Sequence, residues 1–295
     1  MTAAGTAAGG AALVAGGWWV LRELWARRDE RRVAARYPRS ADGVIIGAEP
    51  LLLSGARGGA VLLLHGYNDS PQSLQSVARE LHARGWTVRV PLLPGHGRSL
   101  REFARSGADD WCDAARREYE QLRTAHAAVA VGGLSMGGAM AFVLAADHPE
   151  VGAVVAFAPY LHASRARRAY RFVLPLLLLG PRYLWGGGER SVHDPVASEE
   201  MIAYRRSTPR TLWQLERVVL RALASLERVR APVLVLQSRE DNRIPMSSTL
   251  EAFSRLPAVD KSLRWVTGSG HVITVDYGHE AVARAAADWL EARLP

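Results

Sequence analysis

The stretch that decides the fold is Val129-Ala130-Val131-Gly132-Gly133-Leu134-Ser135-Met136-Gly137-Gly138-Ala139-Met140-Ala141. Its first part is apolar and contains β-branched valines, as buried strands do, whereas its last part is alanine-rich and helix-compatible. The pattern predicts a strand, a sharp turn and a helix, with Ser135 at the turn. Gly133 and Gly137 stand where a side chain would collide with the reversing backbone. A serine held there projects its hydroxyl above the sheet, beside a helix N-terminus that favours developing negative charge.

The Gly-x-Ser-x-Gly pattern has a second interpretation. It also fits a glycine-rich turn in any doubly wound sheet, where Ser135 would have no chemical role. A serine nucleophile needs a base, an acid that orients the base, and backbone N–H groups that bind an oxyanion. The rest of the chain therefore has to supply these groups.

Composition and charge narrow the classes of protein. A chain of 295 residues with 48% hydrophobic and 22% charged side chains is typical of one globular domain with room for an insertion. Cys112 is the only cysteine, so an internal disulfide is excluded. The net charge of +8 comes mainly from arginines, many within 22–39 and 165–190. Because no helix-turn-helix, zinc-ligand spacing or stacking-aromatic motif accompanies them, we expect no nucleic-acid partner. An anionic membrane surface fits these clusters better.

Residues 1–36 form an apolar stretch with a basic flank, ahead of a domain that spans residues 37–295. Residues 2–21 carry no charged side chain, and a helix needs about 20 residues to cross a bilayer core. Three tryptophans and four arginines follow in the order of an interfacial belt and a cytoplasmic flank: Trp18, Trp19, Trp25, Arg27, Arg28, Arg31 and Arg32. We expect a weak membrane anchor with the catalytic domain on the cytoplasmic side. The alternatives are a surface-lying or disordered tail on a cytoplasmic protein, and a cleaved signal.

In residues 37–295, apolar strand patterns alternate with helical ones, which predicts a largely parallel sheet with helices on both faces. The predicted strands are 44–46, 51–53, 60–64, 87–90, 129–134, 151–157, 233–236 and 263–266. Helices are predicted after Ser70, around 111–125, after Ser135 and over 280–294.

The alternation is interrupted from about residue 160 to residue 230, where helical patterns occur without a clear strand. We expect this insertion to form a helical cap over Ser135. It contains the leucine-rich run 172–179 and a hinge-like spacer, Gly186-Gly187-Gly188. The run would line an apolar pocket and could meet a membrane. Four arginines would then lie near anionic headgroups: Arg165, Arg167, Arg168 and Arg171.

The groups that Ser135 requires follow the resumed strands. The strand 233–236 leads into a polar loop with Asp241, and the strand 263–266 leads into the loop Gly268-Ser269-Gly270-His271-Val272. Functional groups of open parallel sheets collect beyond the carboxyl ends of the strands, so both loops should lie beside Ser135.

These motifs resemble those of the α/β-hydrolase superfamily, and within it those of bacterial serine carboxylesterases and monoacylglycerol lipases. The similarity rests on His65-Gly66-Tyr67, Pro94-Gly95-His96-Gly97, Gly133-Leu134-Ser135-Met136-Gly137, Ser238-Arg239-Glu240-Asp241-Asn242-Arg243-Ile244-Pro245 and Ser269-Gly270-His271-Val272. It covers residue 37 to the C-terminus and implies the α/β-hydrolase fold with a helical cap.

The resemblance implies a catalytic triad of Ser135, His271 and Asp241 in the chain order that this fold requires. Backbone N–H groups of Tyr67 and Met136 would form the oxyanion hole. Neither a metal ion nor an organic cofactor is required.

Rival residues exist for two of these positions. Glu240 and Asp276 are alternatives to Asp241 as the acid, and His279 is an alternative to His271 as the base. His65 and His96 are predicted to be structural.

We expect a serine hydrolase that cleaves carboxylic esters, either small molecules or lipids such as monoacylglycerols and lysophospholipids, with membrane association through residues 2–21. A serine aminopeptidase of the same fold is an alternative, and it would need a cap carboxylate such as Glu199 or Glu200 to hold the substrate amine. A catalytically silent, membrane-associated binding protein is another, although an intact triad argues against it. No pattern indicates an oligomeric state.

Overall fold

The structure is a computed structural model that describes residues 3–163, 172–186 and 191–294. In the first helix, side chains are described at Leu13 and from Ala15 onward. The predicted roles of Arg165, Arg167, Arg168 and Arg171, and of Gly187 and Gly188 as hinge residues, lie outside these ranges.

A seven-stranded sheet forms the centre of the molecule. Its strands are β1 (Leu51–Leu53), β2 (Gly59–Leu64), β3 (Thr87–Val90), β4 (Ala128–Leu134), β5 (Ala153–Phe157), β8 (Val233–Ser238) and β9 (Lys261–Val266). Their order across the sheet is β1-β3-β2-β4-β5-β8-β9, and only β1 runs antiparallel to its neighbour. The prediction of a mostly parallel sheet is therefore confirmed.

Helices cover both faces of this sheet, as predicted. They are α1 (Ala3–Arg36), α2 (Gln75–Ala83), α3 (Leu100–Arg105), α4 (Ala108–Ala125), α5 (Met136–Asp147), α7 (Pro195–Glu200), α8 (Pro209–Ser225), α9 (Met246–Ser254) and α10 (His279–Glu291), with the described part of α6 at 172–177. Side chains alternate along β2: Leu62 and Leu64 join the core with α4, α5 and α8, whereas Val61 and Leu63 join the core with α2 and α10.

The predicted strand over residues 44–46 is wrong. Ile45 forms only an isolated bridge with Arg39, and its N–H donates to the carbonyl of Gly97. Ile46 donates to Pro38, so these backbone groups are satisfied by neighbouring loops and the sheet begins at β1.

The segment between β5 and β8, the predicted cap, contains α6, α7 and α8, and α8 packs against α5. The prediction that it lacks strands is also wrong, because β6 (Leu184–Trp185) and β7 (Arg206–Ser207) form a small antiparallel pair. Strands of two residues are too short to produce a periodic pattern in the sequence.

Of the predicted anchor, residues 3–21 form the first part of α1, which has 34 residues. The second half of α1 packs against the body through the buried side chains of Ala26 and Val33, and Tyr37 follows directly after the helix. Within the described part of the chain, the structure contains no helix that combines the length and the apolar character needed to cross a membrane.

Candidate active site

Ser135 lies at the turn between β4 and α5, with φ 55° and ψ −112°. Its N–H donates to the carbonyl of Phe157 over 2.9 Å, which ties the turn to the next strand. A Cβ on Gly133 would lie 2.5 Å from the carbonyl oxygen of Leu64, and a Cβ on Gly137 would overlap that same oxygen. Both glycines are therefore required by close backbone approach, as predicted.

The side chains of Ser135, His271 and Asp241 meet above this turn. Nε2 of His271 lies 2.9 Å from Oγ of Ser135, and Nδ1 lies 2.8 Å from Oδ2 of Asp241. The His271 side chain is 8% exposed and that of Asp241 is 1% exposed, so little water competes for these bonds. With Nδ1–H donating to the carboxylate, Nε2 is an acceptor for the serine proton.

Four groups hold the carboxylate of Asp241. Oδ1 accepts the N–H groups of Arg243 and Ile244 over 2.7 and 2.9 Å, while Oδ2 accepts from His271 and from Nε2 of Gln237. Burial raises the pKa of Asp241, but the hydrogen bond and charge of His271 and the two backbone N–H groups outweigh it. The net pKa lies below its ordinary value, and the group stays ionised.

The rival acids have other partners. Asp276 is fully buried and accepts the backbone N–H groups of Gly270, His193, Asp194 and Tyr277, which fixes the loop carrying His271. Burial raises the pKa of Asp276, but the hydrogen bonds from these four donors outweigh it, and the net pKa lies below its ordinary value. Glu240 accepts from the N–H of Gly268 over 2.7 Å. The hydrogen-bonding partner of His271 is thus Asp241.

The rival base, His279, is the first residue of α10, where the sequence predicts that the last helix begins. Its Nδ1 lies 3.0 Å from the carbonyl oxygen of Asp276. The geometry therefore brings His271, and not His279, to Ser135.

The two residues predicted to form the oxyanion hole, Met136 and Tyr67, both lie close to Ser135. Met136 is the first residue of α5, so its N–H is one of the helix-terminal donors that have no intrahelical acceptor. Tyr67 belongs to the loop after β2 and lines the same cavity as Ser135. Of the five predicted site residues, Ser135, His271 and Asp241 form the hydrogen-bonded triad, and Tyr67 and Met136 lie beside it.

Two buried histidines shape the loop of Tyr67. Nε2 of His65 accepts the N–H of Leu93 over 3.1 Å, and Nε2 of His96 accepts the N–H of Asn68 over 3.3 Å. Burial lowers the pKa of His65, and burial together with the neighbouring His65 lowers the pKa of His96 strongly. Both rings are neutral acceptors in a structural role, as predicted.

The same loop is bonded to the cap. Asn68, with φ 57°, accepts the N–H of Tyr204 through Oδ1 and donates to the carbonyl of Arg206 through Nδ2. The hydroxyl groups of Tyr67 and Thr211 are 2.7 Å apart. Sequence reasoning missed these positioning contacts because they join residues that are far apart in the chain and leave no local pattern. It also missed the bond from Gln237, which is only four residues from Asp241 but belongs to no recognised motif.

A cavity of about 270 Å³ opens at Ser135 beneath the cap. Its apolar lining includes Leu134, Tyr160, Met201, Leu212, Leu215 and Val272, and its polar lining includes Ser191, Ser198, Arg205, Ser207 and Arg243. Among the described lining residues the only carboxylate is Asp69, which accepts from the N–H of Gly66 and the hydroxyl of Ser73. The cap therefore contributes Arg205 and the hydroxyl groups of Ser191, Ser198 and Ser207, while Arg243 comes from the loop after β8.

The two cap carboxylates considered for amine binding point elsewhere. Glu199 pairs with Arg36 over 2.8 Å on the surface, and Glu200 lines a separate outer cleft between α2, α7 and α10. Within residues 3–163, 172–186 and 191–294, no group of three or more His, Cys, Asp or Glu side chains could hold a metal ion.

Comparisons with known proteins agree with this architecture. A family model described as "Serine aminopeptidase, S33" matches residues 55–277. The thermostable monoacylglycerol lipase of Bacillus sp. (strain H-257) is 29% identical over 241 residues, which cover 79% of this chain and 90% of that protein. A carboxylesterase of Bacillus subtilis (strain 168) is 29% identical over 233 residues, with 79% and 92% covered.

Solved structures give the same fold. One, described with LipS and LipT, two metagenome-derived lipolytic enzymes, superposes with a TM-score of 0.77 at 29% identity and covers 84% of this chain and 99% of its own. The monoacylglycerol lipase of Paleococcus ferrophilus superposes with a TM-score of 0.72 at 22% identity, covering 83% and 98%. In both comparisons, the similarity lies in the fold described above.

Proposed function

The chain belongs to the family described as serine aminopeptidase, S33, and we propose that its reaction is the hydrolysis of carboxylic esters by an acyl-enzyme mechanism. The relatives named monoacylglycerol lipase and carboxylesterase support this assignment. The observation that carries it is the lining of the cavity at Ser135, which combines apolar side chains with arginines and hydroxyl groups.

Each group of the triad has a role in this proposal. His271 takes the proton of Ser135 as Oγ attacks the ester carbonyl, and Asp241 stabilises the imidazolium that forms. The N–H groups of Tyr67 and Met136 bind the oxyanion of the tetrahedral intermediate, and each donor is worth about 100- to 1000-fold in rate. His271 then protonates the leaving alcohol and activates the water that releases the acid.

The charges in the cavity favour an ester over an aminoacyl amide. An aminopeptidase has to bind a protonated amine, which requires a carboxylate near the scissile bond. The described cap residues bring Arg205 to the cavity, whereas Glu199 and Glu200 lie outside it. The carboxylate in the lining, Asp69, already accepts from Gly66 and Ser73, and a cationic amine would be repelled by Arg205 and Arg243.

The size and polarity of the cavity favour a monoester. Its volume of about 270 Å³ lies just below the range of about 300–1,000 Å³ that is usual for ligand pockets. An apolar acyl chain would contact Leu212 and Leu215, and a hydroxyl-bearing alcohol such as glycerol would contact Ser198 and Ser207. Monoacylglycerols and lysophospholipids have this two-part chemistry.

In this proposal, residues 2–21 associate with the membrane and so bring the enzyme to its lipid substrates. The arginines after Trp25 favour the cytoplasmic leaflet, because that leaflet carries anionic lipids.

The decisive experiment is a p-nitrophenyl ester chain-length series, measured beside monoacylglycerols and aminoacyl amides. Ser135→Ala should lower kcat/KM for esters on the order of 10⁴-fold or more. The matched control is Ser254→Ala, since Ser254 is exposed on α9 and bonds only the carbonyl of Glu251 in the described structure.

Two outcomes would contradict the proposal. Ester turnover that survives in Ser135→Ala would remove the serine mechanism, and a preference for aminoacyl amides would make the chain an aminopeptidase. Failure of Ser135 to react with a fluorophosphonate would instead support a silent binding protein.

A further inference from the structure

Two neighbouring segments expose most of the large apolar side chains near the cap. On α1 these are Leu13, Trp18, Trp19, Val20, Leu21, Leu24 and Trp25. On α6 and the turn after it they are Phe172, Val173, Leu176, Leu177, Leu178 and Leu179. Trp19 is 61% exposed, and Phe172 and Leu176 are each 70% exposed. Exposed apolar patches of this size mark interaction sites.

The two segments form one continuous surface. Nε1 of Trp18 donates to the carbonyl of Leu179 over 2.8 Å, and Nε of Arg22 donates to the carbonyl of Gly180 over 2.8 Å. These bonds place the middle of α1 directly against the end of the α6 segment. We call the exposed apolar side chains of residues 13–25 and 172–179 the docking surface.

Polar contacts further along α1 fix this arrangement. Arg182 pairs with Glu23 over 2.8 Å, the hydroxyl of Tyr183 donates to Glu30 over 2.7 Å, and Arg206 pairs with Asp29 over 3.1 Å. The second half of α1 is therefore bonded to the residues just before β6 and to β7. The docking surface is therefore joined to the cap segment by hydrogen bonds and ion pairs.

The distribution of exposure on α1 identifies the occupant. Successive helix residues point about 100° apart, and all residues from 15 to 21 are exposed. The apolar side chains of Trp18, Trp19, Val20 and Leu21 therefore surround the helix. A protein groove or a second copy of the chain would cover one further side of it, whereas lipid would cover every side that the α6 segment leaves open.

The charge beside the docking surface indicates which lipids. Four exposed arginines follow Trp25 within two turns: Arg27, Arg28, Arg31 and Arg32. Tryptophans prefer the headgroup level of a bilayer, and each arginine near an anionic leaflet adds attraction. The order of apolar residues, tryptophans and arginines along α1 matches the order of acyl chains, headgroup boundary and phosphates.

We propose that the docking surface binds an anionic lipid bilayer, with the N-terminal half of α1 entering the membrane end-on and α6 lying against it. The cap would then lie against the bilayer. This inference depends on the proposed function only for the identity of the lipid that enters the cavity. Of the two segments of the docking surface, residues 13–25 lie ahead of the part that matches the family, residues 55–277, and residues 172–179 lie within it.

The first test is sedimentation of the full chain with vesicles of phosphatidylcholine alone, or with phosphatidylglycerol added. The wild-type protein should sediment with the anionic vesicles. The double variant Trp19→Ser and Leu21→Ser should lose about tenfold or more in partition coefficient. The matched control is Leu52→Ser and Leu250→Ser, because both leucines are similarly exposed elsewhere, at 57% and 52%.

A second comparison isolates the charges. Arg28→Glu with Arg32→Glu should weaken binding to anionic vesicles about tenfold or more and leave binding to neutral vesicles unchanged. Arg230→Glu with Arg264→Glu makes the same change in net charge at exposed positions away from α1 and should have a much smaller effect.

A fluorescent label reports insertion directly. Cys112 is buried, so a cysteine introduced by Val20→Cys can be labelled selectively with an environment-sensitive fluorophore. Its emission should shift to the blue with anionic vesicles and be quenched by lipids that carry a quencher in the acyl chain. The proposal would be overturned if the wild-type protein did not sediment with anionic vesicles. It would also be overturned if the emission shifted with protein concentration in the absence of vesicles, because that would indicate binding to a second copy of the chain.

Hydrolysis of a water-soluble short-chain ester separates the two proposals. Ser135→Ala should bind vesicles as the wild type does, and the Trp19/Leu21 variant should keep its activity on the soluble ester. Loss of both vesicle binding and soluble-ester hydrolysis in the Trp19/Leu21 variant would show that its substitutions disrupt folding. The Arg28/Arg32 variant then decides: the membrane proposal fails unless this variant hydrolyses the soluble ester and no longer binds anionic vesicles.

Discussion

Two helices of this molecule have similar sequences and opposite surroundings. The helix α5 reads MGGAMAFVLAAD and is buried along nearly its whole length, in the centre of the molecule. The first half of α1, over residues 3–21, is also built mainly from alanine and glycine with a few large apolar residues, yet its described side chains are exposed. Neither helix has one apolar face and one polar face.

The difference shows that the composition of a helix determines whether it needs apolar surroundings. Whether protein or another medium supplies these surroundings depends on the position of the helix in the fold. A helix that is apolar on all sides has to be surrounded on all sides. The sheet on one side and α8 on the other surround α5. In the described part of the chain, nothing comparable surrounds the first half of α1, and we assign that role to lipid. The following substitutions test this comparison.

Alanine in place of glycine should have opposite effects in the two helices. In α5, Gly137→Ala forces a methyl group into the carbonyl of Leu64 and should lower the free energy of unfolding on the order of 5 kcal/mol. In α1, Gly16 has no atom within 4 Å of an added Cβ, so Gly16→Ala should increase helix stability by up to about 1 kcal/mol. Urea unfolding measures the first effect and circular dichroism the second. Wild-type stability in Gly137→Ala would disprove the tight approach of α5 to β2.

Truncation of an aromatic side chain should separate the helices in the same way. Phe142→Ala in α5 removes a fully buried ring and should cost about 3–5 kcal/mol. Trp19→Ala in α1 should change the free energy of unfolding in water by less than about 0.5 kcal/mol. Chemical denaturation without lipid measures both. A cost above about 1.5 kcal/mol for Trp19→Ala would mean that Trp19 packs against protein.

The contrast also explains what sequence could predict. The roles of Gly133, Ser135 and Gly137 are predictable because a sharp backbone turn restricts which residues fit at nearby positions. This restriction leaves a local pattern in the sequence. The order of Ser135, Asp241 and His271 follows from the topology of a parallel sheet, which places each loop at the same edge.

Contacts between distant residues leave no such pattern. The bonds of Asn68 to Tyr204 and Arg206 could not be predicted. The strand expected over residues 44–46 fails for the same reason, since the chain pairs there with the loops of Pro38 and Gly97. For α1, the apolar composition is visible in the sequence, whereas the bond from Trp18 to the cap is not.

Acid should affect the two regions differently. His65 and His96, near the N-terminus of α5, have lowered pKa values in the fold because they are buried. In the unfolded chain their pKa is about 6.5, so the unfolded state binds protons first and stability falls as pH drops below that value. Asp241 and Asp276, whose pKa values are lowered from 3.8, contribute stability that is lost only at lower pH. The arginines of α1 keep their charge throughout this range.

We therefore expect the free energy of unfolding to decrease between pH 7 and pH 5, while vesicle binding through α1 does not weaken. Urea unfolding at several pH values measures the first quantity, and sedimentation measures the second. His96→Gln should reduce the pH dependence, and His126→Gln, at a half-buried position, serves as the control for the loss of one histidine. A stability that does not change between pH 7 and pH 5 would contradict the assignment of His65 and His96 as neutral buried acceptors.

The smallest expected effect concerns the contact between α1 and the cap. Tyr183→Phe removes the hydroxyl that donates to Glu30, but Glu30 keeps its pair with Arg101 over 3.0 Å, so the loss should be about 1 kcal/mol. Amide exchange should accelerate about fivefold in the second half of α1 and remain unchanged in α5. Tyr277→Phe is the matched control, because Tyr277 is 53% exposed. Equal acceleration in both helices would mean that α1 and the hydrolase core open as one cooperative unit. The two apolar helices would then differ only in their surroundings and not in their coupling to the core.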